Sequence, residues 1–282
     1  VADLHLTLTA PSCRQEEDWK QYQAGCLRFL KEVAGDAPIL IAGDIFDRWN
    51  VPPELIHFAL QELPDGAICV PGQHDLPYHR NDLIFRSAYG VLVASGKIVH
   101  CDRKVVRVGD LTISGAGWGT KNPKPGKGKI RLALVHRYLW CSQKTAFPDA
   151  PEDDNILNLS EFDGFDVVVS GDNHIPWQYR KGSTFFYNCG SFFRRKLDET
   201  HRPRVGLLME DGSIQPVDLP NPGELVVKGS SSSKLSDFQE FIENLGSLSV
   251  DSLDFRSTVL EYLKKNPVEP PVEEIVLKSI ES

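Results

Sequence analysis

The sequence predicts an α/β fold, and three observations carry that expectation. Short apolar runs at 39–42 and 67–70 are separated by amphipathic helical patterns, giving a strand–helix–strand–helix–strand rhythm. Each run ends in ligand-type polar residues: Gly43-Asp-Ile-Phe-Asp47 after the first and Pro71-Gly-Gln-His-Asp75 after the second. Two later runs, 130–135 and 165–170, end alike, at His136 and at Gly171-Asp-Asn-His174. Parallel strands with short helical crossovers bring their carboxyl ends to one edge, where α/β sheets bind ligands. The expectation is therefore one sheet with all these side chains along a single rim.

In chain order, Asp3 and His5 open the sequence two residues apart. In an extended segment that spacing puts both on one face, where a carboxylate and an imidazole suit a divalent cation. Val1-Ala2 read as the tail of a first strand, so the natural chain is expected to begin a few residues earlier. A helix is expected over 16–34, with Trp19, Tyr22, Cys26, Phe29, Leu30 and Val33 at helical spacing and Gly35 as its stop. Pro52-Pro53 open a second helix whose inner face carries Leu55, Ile56, Ala59, Leu60 and Leu63. Residues 81–97 read as mixed helix and loop. Residues 104–108 and 111–114, around Gly109-Asp110, read as a hairpin, so the sheet turns antiparallel there.

The stretch 121–131 holds five bases (Lys121, Lys124, Lys127, Lys129, Arg131) and no acid, the composition of a phosphate-backbone contact. Hairpins follow at 177–180 with 183–188, and at 205–209 with 213–217. Between them, 189–196 ends in a second basic cluster, Arg194-Arg195-Lys196. A core domain is expected over 1–222. A serine run (Ser230 to Ser233) then precedes three amphipathic segments at 235–245, 253–264 and 272–280, so 223–282 reads as a linker and a small helical C-terminal appendage.

The 282 residues are 41% hydrophobic and 25% charged, ordinary for a globular chain, and no apolar run approaches the ~20 residues of a membrane span. Six cysteines without a C-x-x-C pair fit reduced thiols and a cytoplasmic location. The net charge of −8 argues against a simple nucleic-acid binder. From Gly223 onward, however, eleven acids face six bases, which leaves only −3 on the preceding residues.

Asp-x-His at 3 and 5, Gly-Asp-x-x-Asp at 43–47, Gly-Gln-His-Asp at 72–75, the strand-end His136 and Gly-Asp-Asn-His at 171–174 together resemble the calcineurin-like metallophosphoesterase superfamily, in its block order. The resemblance implies a four-layer α/β/β/α sandwich and a site for two divalent metal ions. Asp3, His5, Asp44 and His174 would hold one ion; Asp44, Gln73, His136 and Asp172 would hold the other, with Asp44 bridging. His74 would face the scissile phosphate, oriented by the Asp47 carboxylate. Two ions ~3.5–4 Å apart clamp a phosphoryl group and acidify a bridging water. Two departures stand out: Gln73 replaces the usual Asn, and Asp172 replaces the usual His. With His136 as its only nitrogen ligand, the second site favours Mn²⁺ or Mg²⁺ over zinc.

Asp-Leu-His-Leu (3–6), Gly-Asp-Ile-Phe-Asp (43–47), Gly-Gln-His-Asp-Leu-Pro-Tyr-His (72–79), Gly-Asp-Asn-His (171–174) and Asn-Cys-Gly-Ser (188–191) followed by arginines resemble, more narrowly, the SbcD-type DNA repair nucleases of bacteria or phage. That resemblance implies a manganese-dependent phosphodiesterase acting on DNA ends or single strands, with an SbcC-type ATPase partner docked on the helical tail and a homodimeric assembly. Lys124, Lys127, Lys129, Arg194, Arg195 and His79 would then contact substrate. Two other functions compete: a small-molecule phosphatase or cyclic-nucleotide phosphodiesterase, and a catalytically weak DNA-end-binding subunit.

Overall fold

The computed structural model describes residues 1–147, 149–197, 199–221 and 223. The appendage expected over 223–282 lies, Gly223 apart, outside the described residues.

Helix α1 runs Trp19–Ala34 rather than from residue 16, because the Asp18 carboxylate accepts the Gln21 N–H and caps the helix there; Gly35, at φ 53°, ends it. Strand β1 (Leu40–Ala42), helix α2 (Pro53–Glu62), strand β2 (Ala67–Val70), helix α3 (Ala88–Ala94) and strand β3 (Ile98–His100) complete the first half. The three strands form a parallel sheet in sequence order, with Ile41 opposite Cys69 and Ile68 opposite Val99.

The second half supplies β4 (Val105–Val108), β5 (Leu111–Ala116), β6 (Ile130–His136), β7 (Val167–Gly171), β8 (Trp177–Lys181) and β9 (Thr184–Asn188). They form a separate six-stranded sheet in the order β4-β5-β6-β7-β9-β8, parallel at its centre and antiparallel at both edges. The expected hairpin around Gly109 is thus the β4–β5 edge. Strands β10 (Arg204–Leu208) and β11 (Ile214–Asp218) pair by themselves. The polar strand ends consequently belong to two sheets, not one. Strand β5 pairs with β6 and turns away from β3, so the crossover rhythm of the first half does not continue into the second.

Side-chain alternation sorts the core into layers. Leu27, Leu30, Leu55, Ala59 and Leu92 pack against Ile41 and Cys69 on the helix side of the first sheet. Ala42, Ile68 and Val70 on its other face meet Ile113, Leu132, Leu134 and Val169 of the second sheet. Ala133, Val135 and Val168, one residue out of phase, point to the outer face, beneath Leu139, Ile156, Phe162 and Phe165. That outer layer is a long segment with 3₁₀ turns at Gln143–Thr145 and Glu152–Asp154 rather than α-helix.

The first six residues are not a strand. Asp3 and His5 sit at φ 53° and 43°, while the N–H groups of Asp3, His5 and Leu6 donate to the carbonyls of Gly43, Asp44 and Ile45. Asp75, fully buried, locks the neighbouring loop: its carboxylate accepts the N–H groups of Ile45 (3.3 Å), Phe46 (3.2 Å) and Gly72 (3.0 Å). It therefore joins the turn after β1 to the turn after β2. Orphaning a buried donor costs about 1–3 kcal/mol. Asp75→Ala is expected to lower the unfolding free energy in urea by about 3 kcal/mol or more. Asp75→Asn, which keeps one accepting oxygen, recovers part of that loss.

Candidate metal centre

Four loops meet where the carboxyl ends of the two sheets face each other. Asp3, His5, Asp44 and Asp172 all adopt left-handed backbone, at φ 53°, 43°, 52° and 78°. Such conformations cost ~1–3 kcal/mol each in residues with a Cβ and persist where the surroundings over-determine them. The neighbouring glycines show how tightly they do so. A Cβ on Gly72 would lie 2.0 Å from Asp44 Oδ1, and one on Gly43 would lie 2.1 Å from His136 Nδ1.

All seven expected ligands converge. His5 Nε2 lies 3.2 Å from His174 Nε2 and 3.7 Å from Asp44 Oδ2. Asp44 Oδ2 is 3.5 Å from His136 Nε2 on the other side, while Asp44 Oδ1 accepts the main-chain N–H of His74 at 2.9 Å. The Asp3 carboxylate accepts the main-chain N–H of Asp172 at 3.2 Å. Gln73 spans the far side: its Oε1 is 2.6 Å from His136 Nε2, and its Nε2 donates to Asp172 Oδ1 at 2.8 Å.

Asp3, His5 with His174, Asp3, Asp44 with His136, and His5, Asp44 with His74 each place three donor atoms within 4.8 Å of one another. Buried Asp44 Oδ2 and His5 Nδ1 have no hydrogen-bond partner among the described residues. An orphaned buried carboxylate oxygen ringed by imidazoles is an acceptor built for a cation. Carboxylate, imidazole and amide oxygen together suit divalent ions of hard to borderline character. The residues fit a two-ion centre.

Electrostatics follow from the crowding. Burial pushes the Asp3 carboxyl up to about 6 despite His174 and His136. Burial acts on Asp44 in the same sense, but the nearby imidazoles of His136, His5 and His74 hold its carboxyl well below the usual range. Burial pushes the His5 imidazole well down. It also opposes a proton on His136, yet the Asp44 carboxylate outweighs it and raises this ring well above an ordinary histidine. Both nitrogens of His136 face acceptors, Nδ1 the Ala42 carbonyl at 2.6 Å and Nε2 the Gln73 amide oxygen. The Asp44 carboxylate thus favours a proton on this ring, and a cation bound at Nε2 would compete with it.

Asp47 does not orient His74 through its carboxylate as expected. Its carbonyl takes His74 Nδ1–H at 2.7 Å, and its carboxylate is claimed by the Arg195 guanidinium. Arg195 is thereby a partner of Asp47, and Arg194 reaches the Gly223 carbonyl. His79 stands edge-on to Trp118, with ring centroids 5.3 Å apart.

Two cavities, of about 810 and 590 Å³, flank the donors and share Tyr138 and Asp172. Lys121 and Lys124 line the larger; Lys144 and Lys196 line the smaller. Lys127 and Lys129 line neither. Thr112 Oγ1 donates to the Lys127 carbonyl at 2.9 Å and draws that part of the loop along the β5 edge, where Lys129 lies 3.8 Å from Asp110.

Sequence reasoning missed Glu199. Buried beside the centre, it accepts His174 Nδ1–H at 2.8 Å and the main-chain N–H groups of Arg195 and Lys196. Burial would raise its carboxyl, but the His174 hydrogen bond holds it low, and Glu199 in turn raises the His174 ring. An Asp-Glu pair behind three bases carries no motif that could have exposed this role. Carboxylates behind a ligating imidazole fix its tautomer, and their loss weakens metal binding ~10–100-fold. Glu199→Gln is expected to lower cation affinity by about that factor in calorimetric titration with Mn²⁺.

Among solved structures, the chain is similar to an archaeal phosphodiesterase, at 15% identity and a TM-score of 0.41, covering 71% of this chain and 95% of that one. It is also similar to the NAD nucleotidase NadN of Haemophilus influenzae, at 12% identity and a TM-score of 0.46, covering 94% of this chain and 66% of that one. The protein TT1561 of Thermus thermophilus matches at 11% identity and a TM-score of 0.44, with 71% and 94% covered. No curated protein sequence matches. The family model for calcineurin-like phosphoesterase matches residues 1–176, more than half of the chain and the whole run from Asp3 to His174. The chain therefore belongs to the calcineurin-like phosphoesterase family, a family of metal-dependent hydrolases of phosphoesters.

Proposed function

We propose that this phosphoesterase is a manganese-dependent phosphodiesterase that cuts DNA, of the SbcD kind. The observation that carries this reading is the pair of cavities on either side of the donors, each with two lysines and both bordered by Tyr138 and Asp172. A phosphodiester carries a substituent on both sides of the phosphorus and needs room on both; a monoester needs it on one. Lysines on both arms match the phosphates flanking a scissile bond in a polymer.

Asp3, His5, Asp44 and His174 would hold one ion, and Asp44, Gln73, His136 and Asp172 the other. When bound, such ions neutralise phosphoryl charge and make water a nucleophile at neutral pH. The protein's own part is positional and protonic. The Asp47 carbonyl fixes the proton of His74 on Nδ1, leaving Nε2 of this exposed ring to hold or deliver a proton at the leaving oxygen. His5, 4.8 Å from the His74 ring and edge-on to it, restricts the direction in which it can swing. The oxygen-rich second site, with one imidazole, supports Mn²⁺ or Mg²⁺ over zinc. On the same reading, the acidic tail after Gly223 docks an SbcC-type ATPase, and the enzyme works as a homodimer.

A second reading has its own observation. Gln73 and Asp172 satisfy each other by hydrogen bonding, which favours a weak second site and an end-binding subunit with little turnover. Metal counting separates the two: about two Mn²⁺ per chain with turnover supports the nuclease, and about one without turnover supports the binding subunit. A single-stranded oligonucleotide is expected to be cleaved in Mn²⁺ far faster than p-nitrophenyl phosphate, with weaker activity in Zn²⁺. His74→Ala is expected to lower kcat on that oligonucleotide by about 10²–10⁴-fold with little change in KM. Faster activity with zinc, or with the monoester, overturns the proposal.

A further inference from the structure

The segment after His74 makes a turn that its residues do not favour. Tyr78 and His79 both lie in the left-handed region, at φ 52° and 58°, and the Arg80 N–H donates to the Pro77 carbonyl at 3.0 Å. That is the geometry of a type I′ turn, whose two central positions ordinarily hold Asn or Gly. A bulky ring there is an outlier, and such strain concentrates at ligand-binding sites. Folding does not require the ring. Leu76 and Pro77 are buried and anchor the turn, whereas the Tyr78 side chain remains 73% exposed.

The turn splays its two rings onto two tryptophans. Tyr78 meets Trp49 with centroids 5.4 Å apart and planes at 50°; His79 meets Trp118 at 5.3 Å and 61°. Both tryptophans are tied to the metal centre. Trp49 stands two residues beyond Asp47, whose carbonyl holds His74. Trp118 lines the larger cavity beside His136 and Asp172, and its backbone is held to the Pro71 carbonyl and the Asn81 side chain. Exposed Arg48 sits between Asp47 and Trp49 in sequence.

We infer that Tyr78, braced by Trp49, and His79 with Trp118 form a stacking platform for unpaired nucleobases next to the phosphate being cut. This rests on the phosphodiesterase reading and narrows it to strands whose bases are free to splay. Bases inside a duplex are already stacked on each other, whereas an unpaired base presents a face that any aromatic ring accepts. At 73% exposure the Tyr78 ring remains open to a further stacking partner.

Fluorescence anisotropy of the full chain in EDTA, with a labelled oligothymidylate and an abasic strand of equal length, reads the platform without cleavage. Wild-type protein is expected to bind the base-bearing strand about 10–100-fold tighter than the abasic one. Tyr78→Gly, which suits the left-handed position and should keep or raise the melting temperature, is expected to bring that ratio close to one. Tyr78→Phe keeps the ring and should keep the ratio. A wild-type ratio near one, or an unchanged ratio in Tyr78→Gly, overturns the platform. So does a change of oligomeric state in Tyr78→Gly by light scattering, which would make this face a contact between copies of the chain. If the wild type cleaves oligothymidylate in Mn²⁺ while the ratio fails, only the platform falls. If it cleaves no oligonucleotide, the phosphodiesterase reading falls and takes the platform with it.

Discussion

The buried carboxylate of Asp44 is the constraint around which the other loops are arranged. It is removed from water, and one oxygen has no hydrogen-bond donor among the described residues. An anion in that position must be neutralised or balanced by positive charge, since its desolvation is far costlier than any single hydrogen bond restores. The fold answers with imidazoles from two separate stretches, His5 and His136, and with the main-chain N–H of His74. The carboxylate favours a proton on His136, which would supply balancing charge. A divalent cation can take over that task, which makes folding and metal binding parts of one electrostatic problem.

Maintaining this arrangement needs backbone that isolated segments would avoid. Asp3, His5, Asp44 and Asp172 are held left-handed, and the glycines at 43 and 72 leave no room for a side chain against His136 and Asp44. What opposes the strain is mostly not at the centre itself. Asp75 ties two loops together through three backbone donors, and Glu199 holds His174 together with the loop carrying Arg195, which in turn grips Asp47. Ligand geometry is thus enforced by carboxylates that need never touch a metal. This is how a site built on loops attains the rigidity that phosphoryl transfer demands.

The two departures from the family pattern form one structural unit. The longer amide of Gln73 reaches Asp172 while its oxygen stays on His136. An Asn would be one methylene short of that span. Gln73 and Asp172 thus satisfy each other while Gln73 also faces His136.

Local sequence was enough to reveal the alternation of short buried strands and amphipathic helices, because both are written in nearest-neighbour periodicity. It was also enough to mark Asp3, His5, Asp44, Gln73, His136, Asp172 and His174, because each stands in a short block whose residue types and order suit metal ligation. Tertiary structure decided what depends on partners far apart in the chain. It divided the strands between two sheets, since register between β5 and β6 is chosen by packing. It turned Asp47 toward Arg195, 148 residues away, and left its carbonyl to hold His74. It folded Lys127 and Lys129 away from the cavities and brought Glu199 behind His174. A sequence shows which side chains can bind a cation; which of them share a pocket, and what holds them there, is settled by long-range hydrogen bonds and packing that no local pattern records.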